Sequence, residues 1–259
     1  MNAVRLVWHQ FRYDQKAFWR NPAAIFFALV LPVMFLVIFV SVFGNQKMEL
    51  PGQKLVRGST YYLPGIVTLG VVQTTFTHLA VSLTASRERG LLKRLRTTPL
   101  PTWVFMAGRT ATSAAATVLL VVVLVALGNV VYGVEVPTST LAGALLSLIA
   151  GGFAFSALAF ALSTAIPSEN AAVPMTNALT LPLYFISGIF IPNELIPPGV
   201  RDVAAVFPVK QLYDAFLTAF DPATTGAGVD AASLAVVLGW GLAGSILAFT
   251  TFRWSPRSG

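Results

Sequence analysis

Few residues in this chain could do chemistry. It has no cysteine, so thiolate nucleophiles, thiolate metal sites and disulfides are excluded. Its two histidines, His9 and His78, are too far apart to read as a metal-ligand pair. No G-x-x-x-x-G-K-[ST] phosphate loop is present, nor an H-E-x-x-H, G-x-S-x-G or paired-carboxylate pattern. The sequence therefore reads as a non-enzyme without a metal or cofactor of its own. What stands out instead is Ser86–Leu100, S-R-E-R-G-L-L-K-R-L-R-T-T-P-L, where residues 87–96 carry five of the 17 Lys and Arg. As a helix it sets Arg89, Lys93 and Arg96 on one face and Glu88, Leu91, Leu92 and Leu95 on another. A carboxylate on the apolar side is poorly placed among anionic headgroups, and suits a protein pocket with a cationic or backbone partner.

The elements that position this segment are hydrophobic. Of 259 residues, 56% are hydrophobic and 10% charged, against about 25% charged in soluble domains. The chain is an integral membrane protein of all-α, polytopic class. Its excess of seven positive charges is read as topology signal and contact with anionic lipid, not as a nucleic-acid surface.

Residues 1–22 predict an amphipathic helix in the membrane interface. Val4, Val7, Trp8, Phe11 and Phe18 share one side, and Arg5, Arg12, Lys16 and Arg20 another. Asn21-Pro22 breaks it. Six spans follow, at about 23–43, 61–85, 103–131, 139–166, 171–191 and 231–252, within one transmembrane domain of residues 23–252; a tail, 253–259, closes the chain. Pro32 permits a kink in the first span, and Arg109 near the start of the third can snorkel. Gly143, Ser147 and Gly151 give the fourth a small-residue face. The N-terminal segment, the basic segment with Arg109, and the tail hold 12 Lys and Arg; the opposite loops hold five. That bias puts both termini in the cytoplasm. The stretch 192–230 is too apolar for an ordinary loop and too broken by proline and charge to span. It predicts either half-helices dipping into the outer leaflet or a small folded outer loop.

At the basic segment the chain resembles the permease subunits of type-2 ABC exporters, including drug permeases of the daunorubicin-resistance type. Their pattern, roughly E-[KR]-E-x-G-T-L-x-x-L-x-x-[ST]-P, is matched at Arg87, Glu88, Gly90, Leu92, Leu95, Thr98 and Pro99, with Ser86 and Leu91 departing from it. A second pattern, S-G-x-F-x-P … P … P-x-x-Y, is matched by Ser187, Gly188, Phe190, Pro192, Pro197, Pro198, Pro208 and Tyr213. The resemblance implies a homodimer or heterodimer of permeases, each docked to a separate ATPase, so two ATPase copies that carry ATP and Mg. Arg87, Glu88, Arg89, Gly90, Leu91, Leu92, Lys93 and Leu95 would form the coupling helix to that ATPase. The second motif would form the outer gate.

Polar stripes lie in the second and fifth spans. Gln73, Thr74, Thr77 and His78 belong to one, and Asn177, Thr180 and Tyr184 to the other. They either line a substrate pathway, as the resemblance implies, or satisfy themselves and their neighbours within the bundle; for His78 packing is the better reading. The expected function is outward transport, in a bacterial plasma membrane, of a hydrophobic or amphipathic drug, antibiotic or lipid. A polysaccharide or glycolipid exporter is the nearest alternative. An ion-coupled carrier or membrane-embedded enzyme is more distant, since no Asp, Glu, Lys or Arg falls mid-span.

Overall fold

A computed structural model of the chain describes residues 3–43, 47–50, 54–91, 101–134, 136 and 138–251. Helix α1, Ala3–Trp19, is followed by a turn in which the Asn21 side chain accepts a bond from the Ala24 amide at 3.2 Å, and Pro22 takes the first helical position. The break expected at Asn21-Pro22 is thus an N-cap with proline at N1, where its missing N–H costs nothing.

Helix α2 runs over residues 22–43 and widens into a π turn at Phe26–Val30, where the Leu31 amide reaches back to the Phe26 carbonyl. Pro32, directly after, has no N–H and crowds the carbonyl four residues earlier. The extra residue of the π turn accommodates that strain, so the expected kink takes this form. A two-stranded antiparallel hairpin follows, β1 Lys47–Leu50 against β2 Lys54–Arg57, with Lys47 opposite Arg57.

Helix α3, Gly58–Glu88, is 31 residues long and begins three residues before the expected span. It is the central helix, its faces buried against α2, α4 (Thr102–Tyr132), α5 (Leu141–Ala165) and the later helix Pro208–Phe220. It too carries a π turn, at Gln73–Thr77, closed by the His78 amide on the Gln73 carbonyl. Helix α4 stops at Gly133, whose φ of 67° is the left-handed region. There the Gly133 and Val134 amides return to Asn129 and Gly128, a glycine-terminated cap that satisfies the last carbonyls.

Helix α6, Glu169–Ile186, is capped by Ser168 and contains Pro174 and Pro182. A 3-10 turn, Asn193–Leu195, leads to α7, Pro198–Val206, and α8, Pro208–Phe220, each opening on proline. Helix α9, Ala231–Thr251, packs along α5. Backbones approach closely there: a Cβ on Gly241 would stand 3.0 Å from Ala154 Cα, and one on Gly244 3.0 Å from Leu158 N. The small-residue face expected on α5 is used as well. A Cβ on Gly143 would meet the Gly228 carbonyl at 1.9 Å, and Gly151 lies under Leu212.

Five helices are long and apolar enough to cross a membrane among the described residues: Pro22–Val42, Gly58–Glu88, Trp103–Tyr132, Leu141–Ala165 and Ala231–Thr251. The chain is a multi-pass, almost wholly helical membrane protein. Helix α6, with its two prolines, is shorter and more polar than those five.

Candidate functional site

Two groups of side chains, at opposite ends of α3, gather what the sequence singled out. At the basic end, α3 finishes in a clamp. Arg87 is 5% exposed and its guanidinium donates to the carbonyls of Ser163, at 2.6 Å, and Ile166. These are terminal carbonyls of α5, which lack helical partners and carry the negative end of the helix dipole. Glu88 accepts the Glu169 amide at the start of α6. Arg89 answers with a fork onto the same residue's carboxylate, Nε to Oε2 at 3.2 Å and Nη2 to Oε1 at 2.5 Å. That bond and charge hold the Arg89 guanidinium still more firmly protonated. Gly90 then turns at φ 69° with open space around it, and Leu91 is again helical. Glu88 is exposed, and its backbone partner is supplied by this chain. Leu92, Lys93 and Leu95 lie outside the described residues.

Beside the clamp, Arg109 of α4 does not snorkel outward but turns into protein. Its Nη1 and Nη2 donate to Ser82 at 2.8 Å and Ser86 at 3.0 Å, and its Nε stands 3.4 Å from Asp14 Oδ2 in α1. Gln10 donates to the same oxygen at 3.0 Å. Burial pushes the Asp14 carboxyl above its ordinary pKa, with Arg109 and Gln10 pulling the other way. Ser86, which departs from the family pattern's acid, thus still holds a cation through its hydroxyl.

The polar stripe of α3 does not stay together. Thr74 bonds to the Gly70 carbonyl at 2.8 Å and to Thr117 of α4 at 2.6 Å. His78 instead meets Phe18 of α1 edge-on, centroids 5.2 Å apart. The π turn between them explains the divergence, because an inserted residue rotates the helix faces on either side out of phase. Thr77 is buried and its hydroxyl has no hydrogen-bond partner among the described residues; Gln73 is half-buried. On α6, Thr180 bonds to the Thr176 carbonyl at 3.0 Å, Tyr184 is buried edge-on to Phe190, and Asn177 is half-buried. Thr74 and Thr180 thus show the self-satisfied arrangement, and His78 the packed one.

At the far end the second motif forms a knot. Ser187 is fully buried and its hydroxyl has no hydrogen-bond partner among the described residues. Gly188 takes φ 89°, and a Cβ there would lie 2.6 Å from Asn193 Oδ1 and 2.9 Å from the Tyr213 ring. Only glycine meets both demands. The backbone of Ile189 lies 3.3 Å from where a Gly65 Cβ would be. Phe190 is the hub of an aromatic cluster, stacked on Phe39 at 5.3 Å and touching Phe35, Tyr184 and Phe185. It thereby ties α2 to α6. Pro192 caps the 3-10 turn and Pro208 is buried at the start of α8, whereas Pro197, which caps α7, and Pro198, which opens it, are exposed.

Sequence reasoning missed four participants: Asp14, Glu169, and the pair Lys210–Asp214. Lys210 is buried, bonded to Asp214, and 5.5 Å from the Tyr213 ring centroid. Burial raises the Asp214 carboxyl pKa, and Lys210 opposes the shift. The i, i+4 spacing of that pair was the one signal available for it. Asp14 carried a signal too, since it falls on the same helical side as Val7, Phe11 and Phe18.

The sequence pattern of the ABC-2 type transporter family matches residues 5–220. The chain is 29% identical over 196 residues to the daunorubicin resistance ABC transporter permease protein DrrB1 of Streptomyces coeruleorubidus, covering 75% of this chain and 67% of that one. It is 26% identical to the putative transport permease ycf38 of Porphyra purpurea, covering 74% and 66%. To the putative transport permease YvfS of Bacillus subtilis strain 168 it is 21% identical, covering 75% and 77%. The matched part thus spans about two thirds of the first two relatives' length.

Proposed function

The chain belongs to the ABC-2 type transporter family, and from that premise we propose that it is the permease of an ATP-driven exporter. It moves a hydrophobic or amphipathic compound, a drug, antibiotic or lipid, out of a bacterial cell. Two permease copies pair, and each docks an ATPase subunit that binds ATP and Mg. In this reading residues 1–22 form an interfacial helix, residues 23–252 a six-span domain and residues 253–259 a tail, with both termini cytoplasmic.

The observation that carries the reading is the clamp at the end of α3. Arg87, Glu88 and Arg89 bind the α5–α6 junction at Ser163, Ile166 and Glu169, one turn before Gly90 hands over to Leu91. A push received by the segment after Gly90 would move three helices as one body. Coupling contacts then fall to Leu91, Leu92, Lys93 and Leu95, while Arg87, Glu88 and Arg89 transmit. A sixth crossing by α6 is supported by its run from Glu169, beside Arg89, to the turn at Gly188–Ile189 beside Gly65, far along α3. The knot of Ser187, Gly188, Phe190 and Tyr213, with α7 and α8 behind it, is the outer gate. The export route passes the α3 and α6 faces bearing Gln73, Thr77 and Asn177.

Reconstitution tests this. ATP-dependent uptake of an amphipathic dye into inverted vesicles should need both the permease and its ATPase. Dye movement by the chain alone down an ion gradient would refute the proposal. Because the chain has no cysteine, Asn193→Cys and Pro198→Cys should react with an impermeant thiol reagent from the outside; labelling only from the cytoplasm would refute the gate.

A further inference from the structure

Helix α1 does not use its faces as a simple amphipathic wheel suggests. Phe11, Asp14 and Phe18 turn inward, with α4 its principal neighbour; there a Cβ on Gly108 would stand 2.6 Å from Gln10 Cγ. The apolar face is therefore taken up by protein. Trp8, grouped with that face in the sequence, is 59% exposed, as are Tyr13 at 63% and Trp19 at 46%. Arg5, Arg12, Lys16 and Arg20 are all exposed, and none is in an ion pair among the described residues.

At 3.6 residues per turn, Arg5, Arg12 and Lys16 fall within an arc of about 40° on the side away from α4, and Arg20 follows in the turn just past the helix. Trp8 and Trp19 flank the arc on one edge and Tyr13 on the other. Aromatic rings bordering a cationic stripe are what a headgroup layer recognises: the rings sit at the interface and the cations meet phosphate. Two features of the helix place that layer here. The helix ends at Trp19, and at Asn21-Pro22 the chain enters the apolar α2. And its inward face is held against α4, with Gln10 over Gly108 and Phe18 clustered with Ala116, so its outward face keeps a set orientation.

We infer that the outward face of α1 binds anionic phospholipid, and that Asp14 and Arg109 carry the seating of α1 to Ser82 and Ser86 at the end of α3. The inference rests on the membrane placement of the chain and not on the coupling or gate readings. Lipid charge then becomes an input to the same helix end that holds the clamp. An acidic protein partner would match the cations equally, but would leave no role for three exposed aromatic rings beside the entry of a membrane helix.

The test is hydrogen exchange on the full chain in nanodiscs of phosphatidylcholine with or without phosphatidylglycerol. Amides of residues 5–20 and 82–91 should exchange several-fold more slowly with phosphatidylglycerol present. R5Q/R12Q/K16Q/R20Q should abolish both differences, and Arg12→Gln alone should weaken phosphatidylglycerol binding about fivefold. Asp14→Asn should keep the response at 5–20 and lose it at 82–91. Equal exchange at 5–20 in the two membranes, or a lipid response surviving the fourfold variant, overturns the lipid site. Protection of 5–20 only on adding the ATPase overturns it in favour of a protein partner. An Asp14→Asn chain that still responds at 82–91 overturns the relay.

Discussion

Replacing Arg87 by methionine separates two roles that the sequence could not. Methionine keeps much of the stem's apolar contact, so the change isolates the guanidinium. That group makes hydrogen bonds to two carbonyls at the end of α5, at a buried site. A hydrogen bond to a charged group contributes about 1.5–3 kcal/mol, and the two carbonyls left behind would be desolvated without partners. The helix-end charge effect overlaps with these bonds and is not added. The expected loss is about 3–5 kcal/mol, which for a chain of this size lowers the unfolding temperature by on the order of 10 °C. Arg87→Lys, which keeps the charge but not the fork, should fall between. The assay is thermal unfolding of the purified permease in detergent, followed by tryptophan fluorescence. A methionine variant that unfolds with the parent chain, yet fails to stimulate the ATPase, would refute the clamp and return Arg87 to the docking surface.

Three further outcomes are expected. Gly188→Ala should destabilise by about 2–3 kcal/mol, from the left-handed backbone and the buried Tyr213 ring it would meet; an unchanged unfolding temperature would show that the turn relaxes. Leu92→Asp or Leu95→Asp should uncouple ATP hydrolysis from transport with the membrane domain still folded, read by parallel ATPase and dye assays; unaltered transport removes the coupling assignment. Asp14 has a carboxyl pKa raised by burial, so its folded state favours the proton. Its contribution to α1 docking is then largest below the ordinary carboxylate range and is lost as pH rises through the raised value. Exchange at residues 5–20 should slow as pH falls, after correction for intrinsic rates, and Asp14→Asn should flatten that dependence.

How far the chain could be read in advance follows from which interactions are local. Apolar runs announced α2, α3, α4, α5 and α9 to within a few residues, because hydropathy and length are properties of a segment. The Asn21-Pro22 break was equally legible, being a matter of cap and backbone, whereas the fifth span was expected to run to 191 and the helix instead ends at Ile186 before the turn at Gly188. Arg87 was not: nothing within ten residues of it hints at the carbonyls of Ser163 and Ile166. Asp14 was missed for the same reason, since its partner Arg109 comes from α4. The Thr74–His78 stripe failed for a different reason, since a wheel drawn at 3.6 residues per turn cannot anticipate a π turn.

Burial of α3 on nearly all sides sets unequal limits on sequence drift. Val122 on α4, Val42 on α2 and Ile246 on α9 look outward, where any apolar side chain of tolerable size serves a lipid tail equally well. Ile66, Val71 and Leu79 on α3 have no such freedom, because each is enclosed by protein whose shape it must fit. A saturation library should therefore show α3 rejecting apolar exchanges, such as Ile66→Phe, that the outward faces of the neighbouring helices accept without effect.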